Sequence, residues 1–213
     1  MSSLSKAYTF STKGTYEVKA VANNGKETIE ETITFIYMDA AVQQNYPGGI
    51  PKMGAVENGD GSVTFCLAAP GKKSVILVPS WDDYQTLDKN VMKYQDYNGN
   101  RYFWTTVSGL DPNKEYPYYY VVDATIKVGD PYAKLVLDPY SDKWLDKNVY
   151  PGLINYPFEK GLDGIMLAVY KGTRDNYNWK VKNFVAPDKK DLIIYEMLFR
   201  DFTGTEGKAD GNG

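Results

Sequence analysis

The sequence contains no histidine at all, a single cysteine and, in 213 residues, a net charge of only -3. Each shortage closes off a class of chemistry. Without histidine there is no imidazole acid–base catalysis and no imidazole metal ligand. One cysteine excludes an internal disulfide and a cysteine-based metal site. That residue, Cys66, lies in Val-Thr-Phe-Cys-Leu and reads as a buried thiol in a strand. The weak charge leaves no electrostatic footprint for nucleic acid or an acidic membrane, so neither is an expected partner. No apolar run approaches the roughly 20 residues needed to cross a bilayer. No glycine-rich phosphate loop follows a strand, and no cofactor or metal is expected. No signal peptide precedes Met1-Ser2-Ser3. The expectation is a cytoplasmic protein, or an extracytoplasmic one (secreted, periplasmic or cell-surface) whose signal has been removed.

What the chain does have is aromatic and β-forming. Tyrosine numbers 19 and tryptophan 4, a load that suits strands and also suits sugar stacking. Residues 1–38 read as a β-hairpin. Tyr16, Val18 and Ala20 alternate with polar neighbours, Asn23-Asn24-Gly25 is a turn signal, and alternation resumes from Thr28 to Tyr37. Residues 39–53, with Tyr46-Pro47-Gly48-Gly49-Ile50-Pro51, read as a linker. From Gly54 short strands follow in close succession: Ser62–Leu67, Ser74–Val78, Val91–Tyr94, Arg101–Val107, Tyr116–Asp123 and Thr125–Val128. Asn98-Gly99-Asn100 marks a hairpin among them. That spacing predicts a β-sandwich over 54–138 and an all-β fold class. Phe103, Thr105, Val107 and Leu110 should face its core, which turns Tyr102, Trp104 and Thr106 outward.

Residues 139–190 are poorer in pattern and read as a long connecting segment, with a short strand near Ile165–Tyr170. Trp144, Tyr150, Phe158, Tyr177 and Trp179 should pin it to its neighbours. The last segment, 191–213, opens with Leu192-Ile193-Ile194-Tyr195, an apolar run behind a charged cluster, which reads as a strand buried on both faces.

Several of these strings resemble a known family. Ile194 to Thr203, I-Y-E-M-L-F-R-D-F-T, resembles the first strand of the catalytic (β/α)8 barrel of the α-amylase family, glycoside hydrolase family 13. Leu198 stands where that family commonly has histidine. Asp60–Val78 is similar to the immunoglobulin-like early-set sandwich, or carbohydrate-binding family 48 module, that precedes the barrel in isoamylase-, branching-enzyme- and pullulanase-type members. Ser108–Asp123 is similar to that module's G-L-x-P-G-x-x-Y-x-Y-x-V-D, and Gly129–Lys134 to its exit. The motifs occur in the family's order over residues 54–204. The N-terminal hairpin resembles the closing hairpin of a PKD-like or immunoglobulin-like domain, of which it would be a remnant.

The resemblance implies the N-terminal, non-catalytic region of a retaining enzyme acting on α-glucans: starch, glycogen, pullulan or maltooligosaccharides. Its partners would be α-glucan and its own catalytic barrel. Retaining hydrolysis needs two carboxyl groups about 5 Å apart, supplied in this family by later strands whose signatures carry histidines. Glu196 and Asp201 therefore read as scaffold carboxylates, and no catalytic residue is expected in this chain. The loop Trp81-Asp82-Asp83-Tyr84 aligns with the family's sugar-binding loop, placing Tyr84 at its stacking aromatic. Trp81 and Tyr84 would be platforms and Asp82 and Asp83 hydrogen-bond acceptors. Tyr119, and Ile126 or Lys127, fall where glycogen binders have lysine and a second tryptophan. Trp104 would be a further platform or a contact to the barrel. The competing readings are a structural role for the loop, and a stand-alone scaffold or binding module with no enzyme partner.

Overall fold

The computed structural model describes residues 7–148, 150–162, 164–173, 178 and 180–197. The chain divides into two compact units, residues 1–174 and 175–213. The first is all-β, and no α-helix occurs among the described residues.

Its centre is two antiparallel sheets. One has four strands in the order β3-β4-β7-β6: Gly54–Glu57, Val63–Ala68, Asn100–Val107 and Lys93–Tyr97. The other is organised around β8, Tyr116–Val122, every residue of which is buried. Along one edge β8 pairs with β5, Val75–Pro79. Along its other edge it is shared. β11, Leu167–Tyr170, takes residues 116–118, and β9, Ile126–Val128, takes residues 120–122. β10, Val136–Leu137, pairs outside β11.

Alternation decides what each sheet buries. Val75 and Leu77 of β5 and Tyr116, Tyr118 and Tyr120 of β8 point between the sheets, where they meet Val63, Phe65 and Phe103. Ile76, Val78, Tyr119 and Val121 point the other way. They too are buried, under Leu153, Ile154, Tyr156 and Leu162 of the connecting segment. Cover on both faces is why these strands show unbroken apolar runs rather than alternation.

Two expectations for the later chain need correction. The sandwich does not finish at 138, because β11 lies inside the five-stranded sheet between β10 and β8. The connecting segment is not pinned by its most conspicuous aromatics. Trp144 and Phe158 are mostly exposed, and Tyr156 does the anchoring, its hydroxyl donating to the Ile165 carbonyl at 2.7 Å. Tyr177 and Trp179 lie outside the described residues.

A buried carboxylate fixes the turn into β10. Asp130 is 4% exposed and accepts hydrogen bonds from the Tyr118 and Tyr120 hydroxyls at 2.8 and 3.0 Å and from the Tyr132 amide at 2.8 Å. Three donors compensate for its loss of water.

At the N-terminus β1, Gly14–Asn23, pairs antiparallel with β2, Thr28–Tyr37, across a turn in which the Asn24 amide donates to the Glu27 carbonyl at 3.2 Å. The linker that follows is built into the sandwich. The Gln44 amide donates to the Tyr94 carbonyl at 2.8 Å, and the Tyr94 amide donates to Val42 at 2.9 Å.

In the second unit the described residues hold a single 3-10 turn at Lys189–Asp191 and otherwise no regular structure. The strand expected from Leu192 onward is not formed through Met197. Ile193 and Ile194 are 98% and 84% exposed. An apolar run becomes a strand only when a neighbour takes up its backbone donors and acceptors. Leu198–Thr203, and with them Asp201, lie outside the described residues. Glu196 is exposed.

Candidate functional site

β5 ends at Pro79 and turns sharply. A 3-10 turn spans Ser80–Asp82, and the next two residues, Asp83 and Tyr84, have φ of 54° and 56°. Left-handed backbone is disfavoured for any residue with a Cβ, by roughly 1–2 kcal/mol each. The turn is held by amide-to-carbonyl bonds from Asp83 to Ser80 at 3.1 Å, Tyr84 to Pro79 at 3.0 Å and Gln85 to Asp82 at 3.1 Å.

This conformation separates the residues the sequence groups together. Trp81 turns inward and packs between the sheets, its ring 5.8 Å from Phe65 and 5.6 Å, edge-on, from Tyr116. Tyr84 turns outward and packs, as Ile36 and Met38 also do, against the cluster on the far face of the β5–β8 sheet. The two rings therefore lie in different clusters and do not form one platform. Asp82 is taken up internally. Its side chain, 9% exposed, accepts from Lys89 Nζ at 2.5 Å and Asn90 Nδ2 at 2.8 Å, which ties the two ends of the loop together. Asp83 is exposed and forms an ion pair with Lys160.

Trp104 projects from the sheet face opposite the core, as alternation requires, but that face is not open. It is 3% exposed, covered by Tyr46 edge-on at 5.9 Å, and its Nε1 donates to the Gln44 carbonyl at 3.1 Å. Lys93 Nζ lies 5.1 Å from the ring centre. The chain's own linker occupies the position where a sugar or another domain would stack.

Of the five residues singled out in the sequence, Tyr84 borders a cleft of about 730 Å³. One wall is the sandwich, with Tyr84, Tyr119 and Val121, and Thr86 in the loop beyond. The other wall is the hairpin, with Thr15, Thr34, Ile36 and Met38. Lys127 and Lys160 reach its rim. Burial, with help from the negative charge of Glu159, pushes the Tyr84 phenol up to about 12, so the ring is neutral and keeps its hydroxyl proton at physiological pH. Among the described residues no cluster of three or more metal-ligating side chains occurs.

Tyr119 was visible in the sequence as a position in the family pattern. The hairpin residues were not, because nothing local to residues 15–38 says which surface the hairpin lies against.

No protein-family model matches the chain, and none of the curated proteins matches it. Among solved structures it is similar to one described as the crystal structure of GBS pullulanase SAP in complex with maltotetraose. The TM-score is 0.35 and the identity 24%, over 57% of this chain and 14% of that one. The chain thus spans a small part of that protein, and at this level the likeness carries no argument.

Proposed function

We propose that this chain is the N-terminal, non-catalytic region of an α-amylase-family glycoside hydrolase acting on α-glucans, with an early-set sandwich that packs on the catalytic barrel and contacts glucan weakly. The order of the sequence motifs supports the family reading. So does the exposed, unpaired Leu192–Tyr195 run, whose apolar side chains a neighbouring barrel strand would cover. In a self-contained scaffold this run would be paired within the chain.

The observation that carries glucan contact is the Tyr84 cleft. A half-buried aromatic ring, held in position by left-handed backbone, stands beside Tyr119 and several threonine hydroxyls. A pyranose offers an apolar C–H face to such a ring and hydroxyls to such neighbours. The magnitude is small. One stacked ring supplies about 1–3 kcal/mol by analogy with base stacking, and a dissociation constant of 1 mM needs about 4 kcal/mol. Trp81, Asp82 and Trp104 are engaged elsewhere and Asp83 is paired with Lys160, so their proposed share in binding is secondary to that of Tyr84.

Titrating the chain with maltoheptaose, followed by NMR, tests the reading. Weak binding near about 1 mM, lost in Tyr84→Ala, is expected. Absence of any shift rules out glucan contact. A catalytic role is tested separately with amylose and pullulan, where turnover abolished by Glu196→Gln contradicts a non-catalytic region.

A further inference from the structure

We infer that the N-terminal hairpin is the second wall of the binding site, so that a neutral glycan chain lies between β1–β2 and the Tyr84 loop and not on the sandwich surface alone. This rests on the glucan reading above and adds which part of the chain completes the site. The hairpin is attached at the cleft by specific polar ties. Lys13 Nζ donates to Asp88 Oδ2 at 2.9 Å, the Asp39 amide donates to Asp88 Oδ1 at 3.1 Å, and the Thr15 and Thr86 hydroxyls are 2.6 Å apart. Asp88 and Thr86 belong to the same excursion between β5 and β6 that carries Tyr84. The hairpin and the Tyr84 loop are thus fastened to each other, and each fixes one side of the gap.

The chemistry of the two walls matches. The hairpin contributes threonine hydroxyls, from Thr15 and Thr34, and apolar surface, from Ile36 and Met38. The sandwich contributes aromatic faces and further hydroxyls. A cleft of about 730 Å³ falls within the range of roughly 300–1,000 Å³ usual for ligand sites. Its charges are largely spent internally: Lys13 pairs with Asp39 and Asp88, and Lys160 with Asp83. An uncharged polyhydroxylated ligand needs no unpaired ion there, whereas an anionic one would have to displace existing pairs.

The test uses the full chain, maltoheptaose and two substitutions on the hairpin side. Thr34 is exposed on β2 and borders the cleft, so Thr34→Trp fills the gap without disturbing a core. Asp88→Ala removes two of the three ties. Thr34→Trp is expected to weaken maltoheptaose binding at least about tenfold with an unchanged melting temperature. Asp88→Ala is expected to weaken it severalfold. In the wild-type protein the amides of Thr34 and Ile36 should shift together with that of Tyr84. If Tyr84→Ala abolishes binding while both hairpin variants bind as wild type does, the site has one wall and the inference fails while the glucan reading survives. If wild-type protein shows no shift at about 10 mM, ten times the expected constant, both fail together.

Discussion

Trp104 provides the sharpest test of how this molecule is built, because its sequence position and its surroundings argue for opposite outcomes. As an outward-facing ring it could be cut to alanine with a stability change within about 0.5 kcal/mol. As the structure has it, the ring is 3% exposed under the chain's own linker. A buried tryptophan removes about 200 Å² from water, worth about 5 kcal/mol at 25 cal/mol per Å². Residual compactness of the unfolded chain trims that to about 3–4 kcal/mol. Losing the bond from Nε1 to Gln44 adds about 1 kcal/mol. Against this, the covering segment is short and can settle partly into the space, which lowers the cavity cost. Trp104→Ala should therefore destabilise the first unit by about 3 kcal/mol. In urea, with a slope of about 2 kcal/mol/M, the midpoint should fall by about 1.5 M. Far-UV circular dichroism is the suitable probe, since the substitution removes a fluorophore. Trp104→Phe keeps most of the packing and should cost about 1–2 kcal/mol, chiefly the lost donor. A shift under about 0.5 kcal/mol for the alanine variant would show that the linker does not cover this face in solution.

Asp130→Ala strands two tyrosine hydroxyls and an amide in the core; it should cost about 3–5 kcal/mol in urea melts, and a loss below about 1 kcal/mol would contradict the cluster's role. Burial pushes the Cys66 thiol up to about 12 and raises the Tyr118 and Tyr120 phenols. The native chain therefore keeps protons that the unfolded chain releases from about pH 9 upward, and stability is fully present below that pH and falls as pH rises. With three deeply buried groups the slope approaches about 4 kcal/mol per pH unit above pH 10, and a melting temperature unchanged to pH 11 would refute the burial. At Tyr84 the left-handed backbone predicts that Tyr84→Gly is more stable than Tyr84→Ala by about 1 kcal/mol, read by parallel thermal melts; equal stabilities would mean that the turn is not strained.

The strands were largely legible because the signals that place them are local. Gly25 and the Asn98-Gly99 pair adopt the positive φ that hairpin turns draw on, and inward and outward faces follow from alternation once a strand is fixed. Phe103, Val107 and Leu110 accordingly meet the core. What alternation cannot tell is whether an outward face is wet. Here both sheets have their outer faces partly roofed by segments without periodicity, residues 42–46 over Trp104 and residues 153–162 over Tyr119 and Val121. Such cover is tertiary information, carried by contacts tens of residues apart in sequence. The C-terminal run shows the converse limit: composition can mark Leu192–Tyr195 as strand-forming, but a ladder needs a partner.

The same logic explains why four adjacent residues did not make one site. Trp81-Asp82-Asp83-Tyr84 reads as a compact polar and aromatic patch if the loop is treated as an ordinary turn. Two successive left-handed residues instead rotate the chain so that Trp81 completes the inter-sheet core and Tyr84 faces the cleft. Asp82 is consumed in holding that geometry, through Lys89 and Asn90. Glycine could adopt this backbone without penalty, yet the chain places an aspartate and a tyrosine there. Part of the penalty is offset by packing Tyr84 against the buried cluster on the far face of the β5–β8 sheet, which Ile36 and Met38 at the end of the hairpin also join. Local strain at Tyr84, the Asp82 clip and the hairpin ties at Thr86 and Asp88 therefore lie within one excursion of the chain between β5 and β6, and perturbing any of the three should move the other two.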